Sequence, residues 1–418
     1  FENLKDILPN QVSKNESDFR HIAHAITDNT VKFFLTLDEN ILKLADTISQ
    51  NFQISIIRPV DIILYLDELY KIEEYQNMQI AGTSIKRRRL KTGETEGIAD
   101  FFQNIDTEKK NEFLKFVRDY VVDTEYNSCF IIEDKNQNPL CLIAYDRSNP
   151  NQLSIPVLRL NRSNLDVRLL RFLLLEIIII SANEHRNTII ISDPHLQDDV
   201  KKALQSETFI QVNNQWYKIT LPFSQSASDV ADYLGNMLKQ AQQLAPYYQL
   251  HIGVLKNPES LNNIAAMSEL ERIFYPLKIL DSKIQTITIP IKPVWASSWF
   301  DSILARGTVF GASDTKAFNR ESVYYSKAKP LNISLPARVV WYVTKKQGVP
   351  ESQYLRACSR LDDIVVGTAK ELYRQFRSLG IYEWDDLISN SKDNSDQVIT
   401  AYRFSDTYLF NEPVSYEE

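Results

Sequence analysis

Glycine is scarce in this chain, occurring 10 times in 418 residues. Such a low content disfavours β-propellers and glycine-rich nucleotide-binding folds, whose tight turns depend on a residue without a Cβ. Cysteine is rarer still, and Cys129, Cys141 and Cys358 have no paired spacing, which argues against a zinc ribbon and a disulfide framework. Unpaired thiols of this kind suit a reducing compartment, so the sequence predicts a cytoplasmic protein.

Long apolar runs and an excess of positive charge are also missing. The longest apolar run, around Phe172 to Ala182, is too short to span a bilayer and contains Glu176. No membrane partner is therefore expected. The net charge of −7 excludes a chain that acts as a whole as an electrostatic clamp on DNA, although a local basic patch is compatible with it.

The length and the order of patterns predict a multidomain α/β protein. Strand–helix–strand spacing near the N-terminus predicts a partial parallel sheet. The polar stretch "KRRRLKTGETEG" is typical of a solvated connector, or of an arm that contacts phosphates. The predicted segments are an N-terminal unit at 1–70, a basic linker at 71–98, a second α/β unit at 99–222, a helical connector at 223–285, and a small β-barrel with helices at 286–418.

Two acidic residues occupy informative places in the N-terminal unit. Asp18 lies in a short helical segment, and Asp38 follows an apolar strand at 31–36. A carboxylate at the C-terminal end of a parallel strand lies where open α/β sheets bind ligands. Converging carboxylates hold Mg²⁺ or Mn²⁺, which activate water for phosphodiester hydrolysis. The sequence thus predicts a metal and catalytic pair at Asp18 and Asp38, while a plain helix N-cap also accounts for Asp38.

The stretch "ESDFRHIAHAI…FFLTLDENIL" resembles the C-terminal half of a PIN domain, over about residues 5–65. PIN domains are the metal-dependent ribonuclease fold of many toxin–antitoxin nucleases. An acid opens a helix of the form D-x-x-h-(I/L)-A-x-A in that family and another follows a strand ending in T-x-D, positions that Asp18 and Asp38 match. The family's other acids would lie upstream of Phe1, so the resemblance implies a truncated chain.

The element order of residues 99–222 resembles a GNAT acyltransferase, with a hairpin, the strand "SIPVLRLN" and a long helix. In that family a glycine-rich loop holds the pyrophosphate of acetyl-CoA on its backbone amides. The equivalent stretch "NRSNLDVRL" has no glycine and contains Asp166, which leaves Arg162 and Arg168 as candidate phosphate contacts. The resemblance therefore implies a scaffold that binds acetyl-CoA weakly or not at all.

The segments "IPIKPVWASSWF" and "ESVYYSKAKP…LPARVVWYVT" resemble an ASCH domain, a PUA-like barrel associated with RNA and modified nucleotides. Aromatic rings stack on bases and cations meet phosphates, so these side chains form a candidate nucleic-acid site. Its members are Lys292, Trp295, Trp299, Tyr324, Tyr325, Arg360 and Arg403. The alternatives are that about half of these aromatics are core residues, and that Lys292 acts with Glu321 as an acid–base pair, as in a small amidohydrolase.

Three functions remain open on the sequence. The first is a PIN nuclease module guided by an ASCH reader, with nucleic acid, RNA favoured, as the partner and the GNAT-like unit as scaffold. The second is an acyltransferase acting on nucleic acid or protein, against which the glycine-free loop counts. The third is a non-catalytic regulator or subunit that holds a protein partner, which an incomplete set of acids leaves open.

Overall fold

The structure is a computed structural model that describes most of the chain. The described residues are 1–28, 30–52, 54–59, 61–62, 85–90, 94–122, 125–161, 167–293, 295–296, 320–328, 332–345, 353–379 and 396–415. The chain divides into two compact units, Phe1–Tyr75 with Arg88–Phe130 and Gln76–Arg87 with Ile131–Glu418. The predicted domain boundaries themselves stay predictions.

The first unit contains short helices and a two-stranded sheet. The strands β1 (Phe33–Leu35) and β2 (Ser55–Ile57) pair in parallel, which confirms the predicted arrangement. Phe19 and Ile22 bury the apolar face of a helix against Ile56 of β2. The helices of this unit are α1 (Glu2–Ile7), α2 (Pro9–Lys14), α3 (Glu16–Thr27), α4 (Glu39–Leu42), α5 (Ala45–Phe52), α6 (Thr95–Phe102) and α7 (Lys110–Val122).

The second unit begins with a mixed sheet. Its strands are β5 (Pro139–Asp146), β6 (Gln152–Leu160), β7 (Thr188–Ile191), β8 (Ile210–Val212) and β9 (Gln215–Ile219). They lie in the order β5–β6–β7–β9–β8, and β6 and β7 are the parallel pair. Nearly every residue of β5 and β6 is buried, as expected of strands that are covered on both faces. Two further strands, β3 (Lys86–Arg89) and β4 (Asn127–Glu133), are each divided between the units.

The long helix predicted in the second α/β unit is confirmed as α8 (Val167–Asn183), most of which is buried, and α9 (Asp198–Ser206) follows it. Glu176 lies within the apolar run of α8, and its carboxylate forms a buried ion pair with Arg87. Arg87 belongs to the stretch predicted to be a solvated connector. That prediction is wrong for Arg87, because a buried carboxylate requires a partner and strand β3 supplies one.

Helices fill the predicted connector. They are α10 (Ala227–Gln240), α11 (Ala245–Lys256) and α12 (Ile264–Ile273), flanked by the short strands β10 (Ser224–Gln225) and β11 (Lys278–Ile279). Val230, Tyr248 and Phe274 share one core cluster with Ile219 of β9, so the connector packs on the sheet of the same unit. Among the described residues, no helix combines the length and the apolar content needed to cross a membrane.

The C-terminal part of the second unit is a five-stranded sheet with the order β12–β14–β15–β16–β13. Its strands are β12 (Thr286–Ile291), β13 (Ser322–Ser326), β14 (Ala337–Val343), β15 (Tyr354–Thr368) and β16 (Val398–Ser415). The helix α13 (Ala369–Phe376) follows β15 and starts in a capping box of Thr368 and Glu371. The predicted closed barrel is corrected, since no ladder joins β12 to β13 within the described residues.

Candidate nucleic-acid interface

The carboxyl end of β12 presents two of the predicted residues. Lys292 directly follows β12 and is exposed, and its carbonyl accepts the N–H of Trp295 at 2.9 Å. This turn fixes Trp295 close to Lys292 along the chain. Trp295 is half-buried, packing against the core cluster of the sheet while part of its surface stays accessible. A half-exposed aromatic next to an exposed cation is the arrangement that base stacking with a phosphate contact requires.

Tyr324 joins this group from the other edge of the sheet. Its hydroxyl donates a hydrogen bond to the Pro290 carbonyl at 3.2 Å, which connects β13 to β12. Its ring meets that of buried Trp341 edge-on, with ring centroids 5.8 Å apart. Burial raises the pKa of Tyr324 above its ordinary value, so the hydroxyl stays protonated and able to donate. We call Lys292, Trp295 and Tyr324 the β12–β13 seam.

Tyr325 is corrected from a candidate contact to a core residue. Tyr324 and Tyr325 are consecutive in a strand, so their side chains point to opposite faces of the sheet. Tyr325 is only 8% exposed, and its hydroxyl donates to the Leu372 carbonyl of α13 at 3.4 Å. No accessible ring face remains for a base. Trp299, predicted beside it in the same set, lies outside the described residues.

The two predicted arginines do not lie with the seam. Arg403 pairs with Val323 across the strands, so it projects from the face of Tyr325 rather than from that of Tyr324. Its guanidinium lies 3.5 Å from the carboxylate of Glu321, which pairs the acid of the predicted amidohydrolase site with Arg403. Arg360 lies 3.3 Å from the carboxylate of Asp362, whose pKa is raised by burial.

Of the two arginines predicted to contact a cofactor phosphate, the structure describes only one. Arg162 lies outside the described residues, and Arg168 is exposed in the first turn of α8. Weak or absent binding of acetyl-CoA therefore stays a prediction. Titration calorimetry of the full chain with acetyl-CoA is expected to give no saturable heat at micromolar concentrations. A dissociation constant in the low micromolar range, about −8 kcal/mol of binding free energy, would contradict the scaffold interpretation.

Of the two acidic residues predicted to bind a metal in the first unit, Asp38 caps a helix. Asp38 is the N-cap of α4, and its carboxylate accepts the N–H groups of Asn40 at 2.7 Å and Ile41 at 3.4 Å. Asp18 is half-buried in the first turn of α3. Within the described ranges, no three His, Cys, Asp or Glu side chains lie together as a group that could hold a metal ion. Metal binding by Asp18 and Asp38 stays a prediction.

Comparison with known proteins gives structural neighbours only. No family model and no curated protein matches the chain. The ASCH protein from Zymomonas mobilis is 16% identical, covering 32% of this chain and 75% of that one, with a TM-score of 0.23. Spermidine N-acetyltransferase from Vibrio cholerae, solved with CoA and spermine, is 12% identical over 32% of this chain and 95% of that one, with a TM-score of 0.25.

Neither of these neighbours is a PIN-domain protein, and the PIN resemblance of the sequence gains no support from them. The chain is a mixed α/β protein with several sheets, and its structural neighbours include an ASCH protein and a GNAT-fold enzyme, each over about a third of its length. At such identities and TM-scores, the similarities carry no inference about activity.

Proposed function

We propose that the C-terminal sheet binds an unpaired nucleotide of RNA at the β12–β13 seam. Trp295 and Tyr324 would contact the base, and Lys292 would contact a phosphate. The proposal depends on one observation, the hydrogen bond from the Tyr324 hydroxyl to the Pro290 carbonyl. This hydrogen bond holds the partly exposed ring of Tyr324 beside the end of β12. Pro290, its acceptor, lies two residues before the exposed Lys292.

The physical basis of the proposal is stacking rather than bulk charge. A chain with a net charge of −7 repels a polyanion at long range, so affinity must come from local contacts. Stacking on an aromatic ring contributes about 1–3 kcal/mol per base. An unpaired base can reach such a ring, whereas the bases of an A-form duplex are stacked on one another inside the helix, and the deep, narrow major groove keeps side chains from their edges. We propose RNA rather than DNA as the ligand because the sequence resembles an ASCH domain.

Lys292→Gln is expected to weaken the salt dependence of RNA binding. Each phosphate contact on a single strand contributes a slope of roughly −0.7 to the plot of log affinity against log salt concentration. Fluorescence anisotropy with a labelled single-stranded RNA, titrated between low and physiological salt, measures that slope. Lys370→Gln, an exposed lysine on α13, is the matched control and should leave the slope unchanged. Equal slopes for the wild type and Lys292→Gln would remove Lys292 from the interface.

Metal-dependent RNA hydrolysis is the second candidate, favoured by the position of Asp38 three residues beyond the end of β1 in a parallel pair. The informative change is Asp38→Asn, because asparagine caps a helix about as well as aspartate and is a poorer ligand for Mg²⁺. We expect Mg²⁺- or Mn²⁺-dependent cleavage of RNA that disappears in both Asp38→Asn and Asp18→Asn, with thermal midpoints unchanged. Cleavage that survives either change, or that needs no added metal, would contradict the nuclease assignment.

A further inference from the structure

A pocket lined mostly by polar residues lies beside the C-terminal sheet. It is formed between α12 with the loop after it and the strands β14, β15 and β16, and its mouth is open to solvent. Arg338 and Arg360 lie directly across from each other on β14 and β15. Arg338 is three residues from Trp341 in the same strand, so the two side chains project from opposite faces. None of the residues that line the pocket belongs to the β12–β13 seam.

Positive charge exceeds negative charge in the lining of this pocket. Four cationic side chains, Arg272, Lys278, Arg338 and Arg360, face two carboxylates, those of Glu271 and Asp406. Both carboxylates are already engaged. Glu271 accepts two hydrogen bonds from the Arg338 guanidinium and one from the Ile279 N–H, and Asp406 accepts one from Arg320 at 2.6 Å.

Two of the cations keep hydrogen-bonding capacity. The best contacts of Arg272 are long, 3.4 Å to the Ser206 carbonyl and 3.9 Å to the carboxylate of Glu269. The Nε of Arg360 is buried and has no hydrogen-bond acceptor among the described residues, its ion pair with Asp362 being at 3.3 Å. The pocket therefore has hydrogen-bond donors to spare, and it favours a ligand whose atoms are hydrogen-bond acceptors only.

Tyr275 adds an unsatisfied donor of its own. The residue is 2% exposed, it lines the pocket, and its hydroxyl has no hydrogen-bond partner among the described residues. A buried polar group without a partner is costly, and such groups are rare in folded proteins. A phosphate group has several acceptor oxygens in a tetrahedral array, matches the guanidinium fork of arginine, and can accept from a phenol at the same time.

We propose that this pocket binds a phosphate group, either inorganic phosphate or the terminal monoester of a nucleotide. The group would accept hydrogen bonds from the Tyr275 hydroxyl, the Arg360 guanidinium and Arg272. It would connect α12 to β15 through these contacts. The proposal does not depend on RNA binding at the β12–β13 seam, because the two sites share no residue.

Titration calorimetry on the full chain tests the proposal with three probes: inorganic phosphate, AMP and adenosine. We expect phosphate, AMP or both to bind and adenosine not to bind. Arg360→Gln should weaken the affinity by about 10- to 100-fold, as expected for charge-assisted hydrogen bonds. Tyr275→Phe should weaken it by roughly 3- to 10-fold, the typical effect of one neutral hydrogen bond. Tighter binding of AMP than of phosphate would identify a nucleotide as the source of the group.

Matched control variants distinguish the loss of a pocket contact from the general effect of removing a charge or a buried hydroxyl. Arg374→Gln removes the same charge from the exposed face of α13, and Tyr248→Phe removes a hydroxyl from an equally buried tyrosine outside the pocket. Both should leave phosphate affinity unchanged. If Arg360→Gln fails to fold, Tyr275→Phe with its control decides alone. No binding of phosphate or AMP at millimolar concentration, or affinity that is insensitive to Tyr275→Phe and Arg360→Gln, would overturn the proposal.

Discussion

Replacing Arg159 with methionine is expected to lower the free energy of unfolding by about 3–5 kcal/mol, the range for breaking one partner of a buried ion pair. Arg159 on β6 and Asp193 after β7 are almost fully buried, and two nitrogens of the guanidinium contact the two carboxylate oxygens at 2.5 and 2.7 Å. The change leaves the buried carboxylate of Asp193 without its cationic partner, although Asp193 also accepts the N–H groups of Leu158 and His195. Chemical denaturation monitored by circular dichroism measures the loss.

Two controls define the cause of that loss. The double variant Arg159→Met with Asp193→Leu removes both charges, and we expect it to recover much of the stability because no uncompensated charge remains. Arg147→Met breaks a half-exposed pair with Glu184 at 2.9 Å and should cost about 1 kcal/mol or less. A loss in Arg159→Met no larger than that in Arg147→Met would show that burial of this pair does not matter.

Local patterns in the sequence were enough to predict several elements of the fold. The order of elements in the second α/β unit predicts a long helix, and α8 is that helix. The two apolar stretches near the N-terminus predict parallel strands, and β1 and β2 pair in that way. Each of these features depends on residues close together in the chain, whose periodicity and spacing are visible without the fold.

Contacts between distant residues could not be predicted in this way. The basic cluster containing Arg87 looks solvated, since nothing nearby in the chain shows that Glu176 needs a buried partner. Tyr324 and Tyr325 are adjacent tyrosines that the sequence cannot tell apart. Only the pairing of β13 with β16 in the fold shows that Tyr325 faces helix α13. The pocket of Tyr275 and Arg360 unites residues from the connector and from β15, two segments that the sequence assigns to different domains.

Trp295→Ala is expected to weaken the binding of single-stranded RNA by roughly 5- to 150-fold, which corresponds to the loss of one base stack of about 1–3 kcal/mol. Trp295 packs partly against the core of the sheet, so its removal could also loosen that core. Tyr373→Ala is the matched control, because Tyr373 is a half-buried aromatic on α13 that packs against the same core cluster. A specific role for Trp295 requires that Trp295→Ala loses affinity while Tyr373→Ala keeps it.

The most direct measurement is a fluorescence anisotropy titration of one labelled single-stranded RNA with the full chain at physiological salt. The wild type, Trp295→Ala, Tyr324→Phe and Tyr373→Ala are compared side by side. We expect saturable binding by the wild type, a large loss in Trp295→Ala, a smaller loss in Tyr324→Phe because its hydroxyl no longer holds β13 to Pro290, and wild-type affinity in Tyr373→Ala. No saturable binding by the wild type, or equal affinities for Trp295→Ala and Tyr373→Ala, would contradict a nucleotide site at the β12–β13 seam.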